Sequence, residues 1–415
     1  DKIDGGDGSD VLNITTTADI ASISPAGATI SNVETINLTS NGSVTATSGA
    51  GVTNLVGAGA DEFVLAGAAT TDITAVSSGL GSDNATINGG KNISATVAVG
   101  TSGTVDIGAT TAPAGTVSYT GAYTQANGNT HGAVTVTGGT TQTVTLSTGN
   151  AVNTTNTFGA VTATGGASTT TVSVTQDAAA TAAAAVKGVV NGAVSVLDAN
   201  RASTTKAGSI TDVTVSSGAA VTINSGALEN IFASGKMTTL NAGTLGALTT
   251  AAINDIHLHT NGLTTTGAVT FDTDVKTITI NSHTAASTIA SLVDASATTL
   301  NVIGDAKLTV SAHTLAATAS ISTADSTGGA TFTGALGNTV SFAGGAGADT
   351  VSLGATTKAI TTGAGADQVT VGVSALGYLG SIDAGDGIDT LVMSAANAAT
   401  ASATATFGGT ISGFE

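Results

Sequence analysis

The sequence predicts an all-β chain wound as a right-handed parallel β-solenoid or β-roll. Its coils are expected to hold about 18–22 residues, with a less regular β-rich middle. Three observations predict this. Glycine supplies 56 of 415 residues, aromatics 3% and charged residues 9%, while the mean hydropathy is +0.35. Such a chain is too apolar and too weakly charged for disorder. It also has few large side chains, so small and β-branched residues repeating at equivalent positions of a stack suit it better than a thick core. Second, a glycine–aspartate nonapeptide recurs. Third, alternating β-branched runs return with a period near 20 residues.

The chain divides into three stretches. Residues 1–95 read as a first solenoid module that opens with "GGDGSDVLN" (5–13), a full match to G-G-x-G-x-D-x-U-x with U a large apolar residue. "VGAGADEFV" (56–64) has Val56 in place of the first Gly. "SGLGSDNAT" (78–86) is weaker, because Ala85 fills the apolar place. Residues 96–215 are Thr-, Gly- and Ala-rich. There "GAVTVTGGTTQTVTL" (132–146) is similar to "GAVTATGGASTTTVSV" (159–174), and valines alternate with threonines, one face in and one out. This middle is expected to continue the solenoid; the alternative is a sandwich of antiparallel hairpins. The Ala-rich run from Ala178 to Val190 reads as a short helix or a loop. The chain's regular Thr rows drift in phase from coil to coil, which argues against an ice-binding surface.

Residues 216–415 read as a solenoid ending in a calcium-binding roll. Asn241, Asn261, Asn281 and Asn301 are spaced 20 apart, and Leu240, Ile280, Leu300, Val340 and Ile360 share that frame. Asn suits corners because it tolerates left-handed backbone and can ladder with its neighbours. A second full nonapeptide match follows at 344–352, then near matches at 362–370 (Thr362 first) and 384–392 (Ala384 first). Asp349 and Asp367 are 18 residues apart, one coil of two nonapeptides. Asp367 and Asp389 are 22 apart, as are Asp61 and Asp83, which fits one coil plus a four-residue bulge. "ISNVETINL" (30–38) follows the first motif and "ISGFE" (411–415) the last, so equivalent modules are expected at both places. With no initiator Met and no signal peptide, the sequence reads as part of a longer protein.

The motif's chemistry follows from its residue types. Glycines at positive φ turn carbonyl oxygens into the loop, and the Asp in sixth place adds a carboxylate at the strand start. One loop supplies half a shell of oxygens and the loop one coil later the other half. About six oxygens at flexible distances suit Ca²⁺ better than Mg²⁺, which demands a tight octahedron. The candidate ligands are Gly5, Asp7 and Asp10; Gly57, Gly59 and Asp61; Gly344, Ala346 and Asp349; Gly363, Gly365 and Asp367; and Gly385, Asp386 and Asp389. Asp349 and Asp367 are expected to share one ion. Asp4 and Asp383 lie close enough to add charge. Asp10 has no motif 18 residues on, so its second half-shell must come from another coil, from preceding residues or from a neighbouring subunit. Several ions per chain are expected to act as folding ligands, since stacked carboxylates repel without them.

The net charge of −18 comes from 27 acids against 9 bases. Only Glu34, Glu62, Glu229 and Glu415 are Glu, so 23 acids are Asp. With no basic patch, nucleic acid is not an expected partner. No Cys is present, which excludes disulfides and thiol chemistry. No G-x-S-x-G elbow marks a nucleophile, and no Trp and three Tyr leave no aromatic sugar platform, so no enzyme activity is expected. His257 and His259 share one strand face. They are read as surface histidines in preference to a Zn or Cu site, because Asp255 is their one evident acidic companion. Asp272 and Asp274 in "FDTDVK" are read as a coil-edge turn in preference to an extra Ca²⁺ site.

These loops resemble those of RTX proteins. "GGDGSDVLNI" with "ISNVETINLTS", then "GNAVNTT", "VSVTQDAAATA", "VVNGAVSV", "NGLTTTGAV", "STIASLVDASATTLNVIGDAKLTVSAHT" and "LGATTKAI", resemble more specifically the RTX surface-layer proteins of Gram-negative bacteria. The resemblance spans nearly the whole chain. It implies an extracellular, type I-secreted subunit whose copies tile a two-dimensional sheet on the cell surface, with Ca²⁺ within and between subunits. In that family an N-terminal region binds outer-membrane lipopolysaccharide and a C-terminal signal directs secretion. Neither is recognised in these 415 residues, so lipopolysaccharide contact is expected only through regions absent here. The rival readings are an RTX adhesin or biofilm protein, and the calcium-binding roll of a secreted enzyme.

Overall fold

The computed structural model describes residues 1–24, 27–77, 83–97, 103–123, 130–148, 156–178, 189–203, 205–206, 208–243 and 253–415. The chain forms two units, Asp1–Ala227 and Leu228–Glu415. In each, short strands build two long ladders, and the chain passes from one ladder to the other and back.

In the first unit one ladder runs through Val11–Thr16, Thr35–Ser40, Asn54–Gly59, Asp72–Ser77, Ile93–Thr96, Thr116–Tyr123, Thr141–Thr148, Thr171–Ala178 and Asp212–Asn224. The other runs through Val44–Thr47, Phe63–Gly67, Ala85–Gly89, Val105–Ile107, Val134–Thr137, Val161–Thr164 and Val194–Leu197, and ends on the second half of Asp212–Asn224. Each of these pairings is parallel. The stretch 96–215 therefore extends the same two ladders, and its described strands form no antiparallel hairpins. Of the Ala178–Val190 run, residues 179–188 lie outside the described residues.

Alternation fixes which face is inside. Ile36, Leu55, Ile73, Ile93 and Val117 pair one with the next and are fully buried or nearly so. Phe63, Ala85, Val105, Val134, Val161, Val194 and Val221 do the same on the second ladder. Burying each of the larger side chains contributes roughly 1.5–3 kcal/mol. Outward positions carry hydroxyls. Thr116, Thr141 and Thr171 stand in one row, Ser118, Thr143 and Ser173 in the next, and Thr120, Thr145 and Thr175 in a third. The phase that drifts in the sequence is thus in register across these three strands, because unequal corners absorb the difference.

The second unit repeats the scheme. One ladder runs through Asp255–Thr265, Thr277–Ser282, Thr299–Ile303, Ser320–Ser322, Ser341–Ala343, Ala359–Thr361, Ser381–Asp383 and Ile411–Ser412. The other runs through Ala268–Phe271, Ser287–Val293, Leu308–Thr314, Ala330–Leu336, Thr350–Leu353, Gln368–Val371 and Thr390–Met393. The 20-residue frame is corrected here. Leu300 pairs with Ile278 and Ile321, and Ile280 with Val302, while Asn281 stands beside His259 and Ile303 and not beside another Asn. Coil length varies at the corners, and the inward apolar residues set the register. An Asn ladder does form in the first unit, where Asn37 Nδ2 donates to Asn13 Oδ1 at 2.8 Å.

Two short helices, Ala395–Ser402 and Ala405–Gly408, stand among the described residues. The Ser394 hydroxyl caps the first by accepting the Asn397 N–H at 3.2 Å. No described helix is long and apolar enough to cross a membrane.

Candidate calcium loops

Three of the predicted loops stack in register. Thr350 pairs with Gln368 and Gln368 with Thr390, which places Asp349, Asp367 and Asp389 at equivalent points of successive coils. The loops themselves hydrogen-bond to one another. The Ala364 N–H donates to Gly345 O at 2.7 Å and the Asp386 N–H to Gly363 O at 2.8 Å. Ala364–Gly365 and Asp386–Gly387 form a two-residue parallel ladder. The glycines allow this approach. A Cβ built on Gly387 would lie 1.6 Å from Gly365 O, and Gly387 also has φ +150°. Positive φ marks the loops at Gly6 and Gly8, Gly363 and Gly365, and Gly385 and Gly387. Gly344 in the second full motif shows none. It is needed for closeness instead, since a Cβ there would lie 1.9 Å from Thr362 O.

The aspartates form a column. The Asp349 N–H donates to Asp367 Oδ1 at 2.7 Å, and the Asp367 N–H to Asp389 Oδ1 at 2.8 Å. The Asp389 N–H donates to Glu415 Oε2 at 2.8 Å. At the other end of the chain the Asp10 N–H donates to Glu34 Oε2, also at 2.8 Å. Glu34 and Glu415 therefore stand where the next Asp of a column would stand. The sequence shows "ISNVETINL" and "ISGFE" after the first and last motifs, but nothing in it marks Glu34 and Glu415 as acceptors. Of the three sources left open for the second half-shell at Asp10, the next coil brings Glu34 to the Asp10 N–H.

Asp367 and Asp389 each use one oxygen in this way, which leaves the other. Asp10 Oδ2, Asp367 Oδ2 and Asp389 Oδ2 are buried with no hydrogen-bond partner. Asp349 is different. Its Oδ1 accepts the Ala330 N–H at 2.7 Å and its Oδ2 accepts the Thr323 hydroxyl at 2.5 Å. Of the pair expected to share an ion, Asp367 alone keeps an oxygen without a partner. Burial pushes the Asp349 carboxyl up to about 6, against the Thr323 and Ala330 hydrogen bonds that pull it down. Burial and the neighbouring Asp389 also raise Asp367.

The remaining candidates are placed less uniformly. Asp7, Ala346 and Asp386 are exposed in their loops, and Gly5 and Gly385 lie against the loops of adjacent coils. Gly57 and Gly59 lie inside the strand Asn54–Gly59, without the expected turn. A Cβ on Gly57 would meet Leu65 at 3.0 Å, and one on Gly59 would meet Val44 at 3.0 Å. These glycines make room for core side chains, which corrects their reading as loop glycines. Asp61 is exposed and shares its register with Asp83 through the Phe63–Ala85 pair. The glycines preceding Asp83 lie outside the described residues. Asp4 is held by Lys2, Asn32 and the Gly6 N–H, and Lys2 with Asn32 keeps its carboxyl down to about 2. Asp383 accepts the Ser412 hydroxyl at 3.0 Å. Asp272 forms the expected turn, with the Val275 N–H donating to its carbonyl at 3.0 Å.

No cluster of three or more His, Cys, Asp or Glu side chains suited to one ion occurs among the described residues. A loop site of this type does not need one, since it takes most of its oxygens from the backbone. The fit rests on the three buried carboxylate oxygens without partners, set in loops where Gly5, Gly363, Gly385 and Gly387 lie against backbone of a neighbouring coil. A divalent cation with oxygen preference is the group that such oxygens accept. No protein-family model matches the chain, and no curated protein matches it.

Proposed function

We propose that this chain is a non-catalytic structural protein, a calcium-stiffened right-handed parallel β-solenoid whose copies tile a two-dimensional surface layer on a Gram-negative cell. The observation that carries the calcium part is the column of buried aspartates with unpartnered oxygens. Asp10, Asp367 and Asp389 would hold the ions, together with carbonyls of the glycine loops around Gly6–Gly8, Gly363–Gly365 and Gly385–Gly387. The bound ion supplies the positive charge that makes a stack of buried carboxylates stable.

The lattice part rests on the resemblance to RTX surface-layer proteins and on the overall charge. Subunits of net charge −18 repel one another, and Ca²⁺ bridging acidic faces offsets that repulsion. Secretion, the cell-surface location and any link to lipopolysaccharide are part of the same proposal. Electron microscopy of the protein with millimolar Ca²⁺ tests it. Regular two-dimensional sheets that dissolve on chelation are expected. Dispersed particles under every Ca²⁺ concentration, or sheets formed equally well in Na⁺ at matched ionic strength, would overturn the lattice reading.

A further inference from the structure

The second unit carries an aromatic and imidazole patch that the calcium loops do not use. His257 and His259 lie on the strand Asp255–Thr265, separated by Leu258, which is fully buried. Both rings therefore project from the outer face of an interior strand, held on one side by Asn230–Gly243 and on the other by Thr277–Ser282. Phe232 pairs with His259 across the ladder and stacks on it, centroids 4.5 Å apart and planes 15° apart. The two imidazoles are 6.4 Å apart and inclined by only 25°. On the far side Thr279 stands beside His257 and Asn281 beside His259.

We propose that His257 and His259 chelate a divalent transition-metal ion of the Cu²⁺ or Zn²⁺ class on this face, with water completing the shell. Two imidazoles at i and i+2 of a strand point the same way from a backbone that pairing on both sides keeps rigid. Metal–nitrogen bonds of about 2.0–2.1 Å would bring the ring centroids to roughly 5 Å, a closure that side-chain torsions alone can make. Phe232 fixes the plane of one ring and so lowers the ordering cost of that closure. Nitrogen donors select borderline ions and reject Ca²⁺, whereas the glycine–aspartate loops offer only oxygen. The site is thus chemically separate from the proposed calcium sites and stands whether or not those are occupied.

The test is a titration of the full chain with CuCl₂ in millimolar Ca²⁺, followed by calorimetry and by electron paramagnetic resonance. Saturable binding with a dissociation constant of about micromolar order and nitrogen hyperfine structure from the Cu²⁺ is expected. His257→Gln and His259→Gln should each weaken it roughly tenfold or more, and the double variant should abolish it. Circular dichroism matching the unmodified chain shows that the variants are folded. Binding that is unchanged in the folded double variant, or no saturable binding in the unmodified chain, would overturn the proposal. If the double variant fails to fold, carbethoxylation of the unmodified chain's histidines decides instead: loss of Cu²⁺ binding supports the site, and its persistence refutes it.

Discussion

At the scale of single residues, the column Asp349–Asp367–Asp389 does two jobs with one side-chain type. One oxygen caps the N–H of the preceding Asp and locks the loop register. In Asp367 and Asp389 the other is left buried without a partner. Asp389→Asn separates the two jobs, because the amide oxygen can still accept the Asp367 N–H. The expected outcome is a Ca²⁺ midpoint raised about tenfold, near 1.4 kcal/mol, with thermal stability in EGTA unchanged or improved. Calorimetric Ca²⁺ titration and melting curves check both halves. Asp349 gives a pH prediction. Its folded-state value of about 6 lies above the ordinary 3.8, so the metal-free fold favours the protonated acid. That contribution is fully present below about pH 4 and is lost as pH rises through about 6, an effect of order 2–3 kcal/mol. Melting of protein stripped of Ca²⁺ beforehand, in Ca²⁺-free buffer, should therefore occur at a higher temperature at pH 4.5 than at pH 7, with the difference reduced in Asp349→Asn. The aspartates were legible in the sequence because Gly and Asp recur at fixed offsets. Gly57 and Gly59 misled because a glycine that admits Phe63 and Leu65 into the core has the same letter as one that turns a loop.

At the scale of elements, corners and strands carry different information. The β-branched alternation marked runs such as 132–146 and 159–174, where Val134–Thr137, Thr141–Thr148, Val161–Thr164 and Thr171–Ala178 form strands, since an inward column must keep its face. The strict 20-residue period was not real. Corner lengths vary, and only the pairing register shows that Ile280 meets Val302 and that the Thr rows at 116–120, 141–145 and 171–175 align. The least legible element was the Glu that closes each column. Glu34 and Glu415 lie 24 and 26 residues beyond Asp10 and Asp389, outside any nonapeptide spacing. Their longer side chains reach the same backbone N–H. Glu34→Ala leaves the Asp10 N–H without its acceptor and is expected to cost about 1–3 kcal/mol. Glu34→Gln keeps an acceptor and should cost far less in EGTA. Amide hydrogen exchange at Asp10 reports the difference, and equal protection in both variants would remove Glu34 from this role.

At the scale of the whole molecule, a chain with 9% charged residues and net charge −18 concentrates its acidity in Asp and much of that Asp in loops. Its core is made of many thin, similar layers, so no single contact dominates and stability grows by repetition. A buried carboxylate column runs against that arrangement unless a cation neutralises it. The central claim is therefore that Ca²⁺ is a folding ligand. Thermal melting of the full chain, followed by circular dichroism in EGTA and then across a Ca²⁺ titration, tests it most directly. The expected result is a melting temperature that climbs steeply through the millimolar range with Ca²⁺ and far less with Mg²⁺ at the same concentration. A melting curve and a β-sheet signal identical in EGTA and in millimolar Ca²⁺ would contradict it.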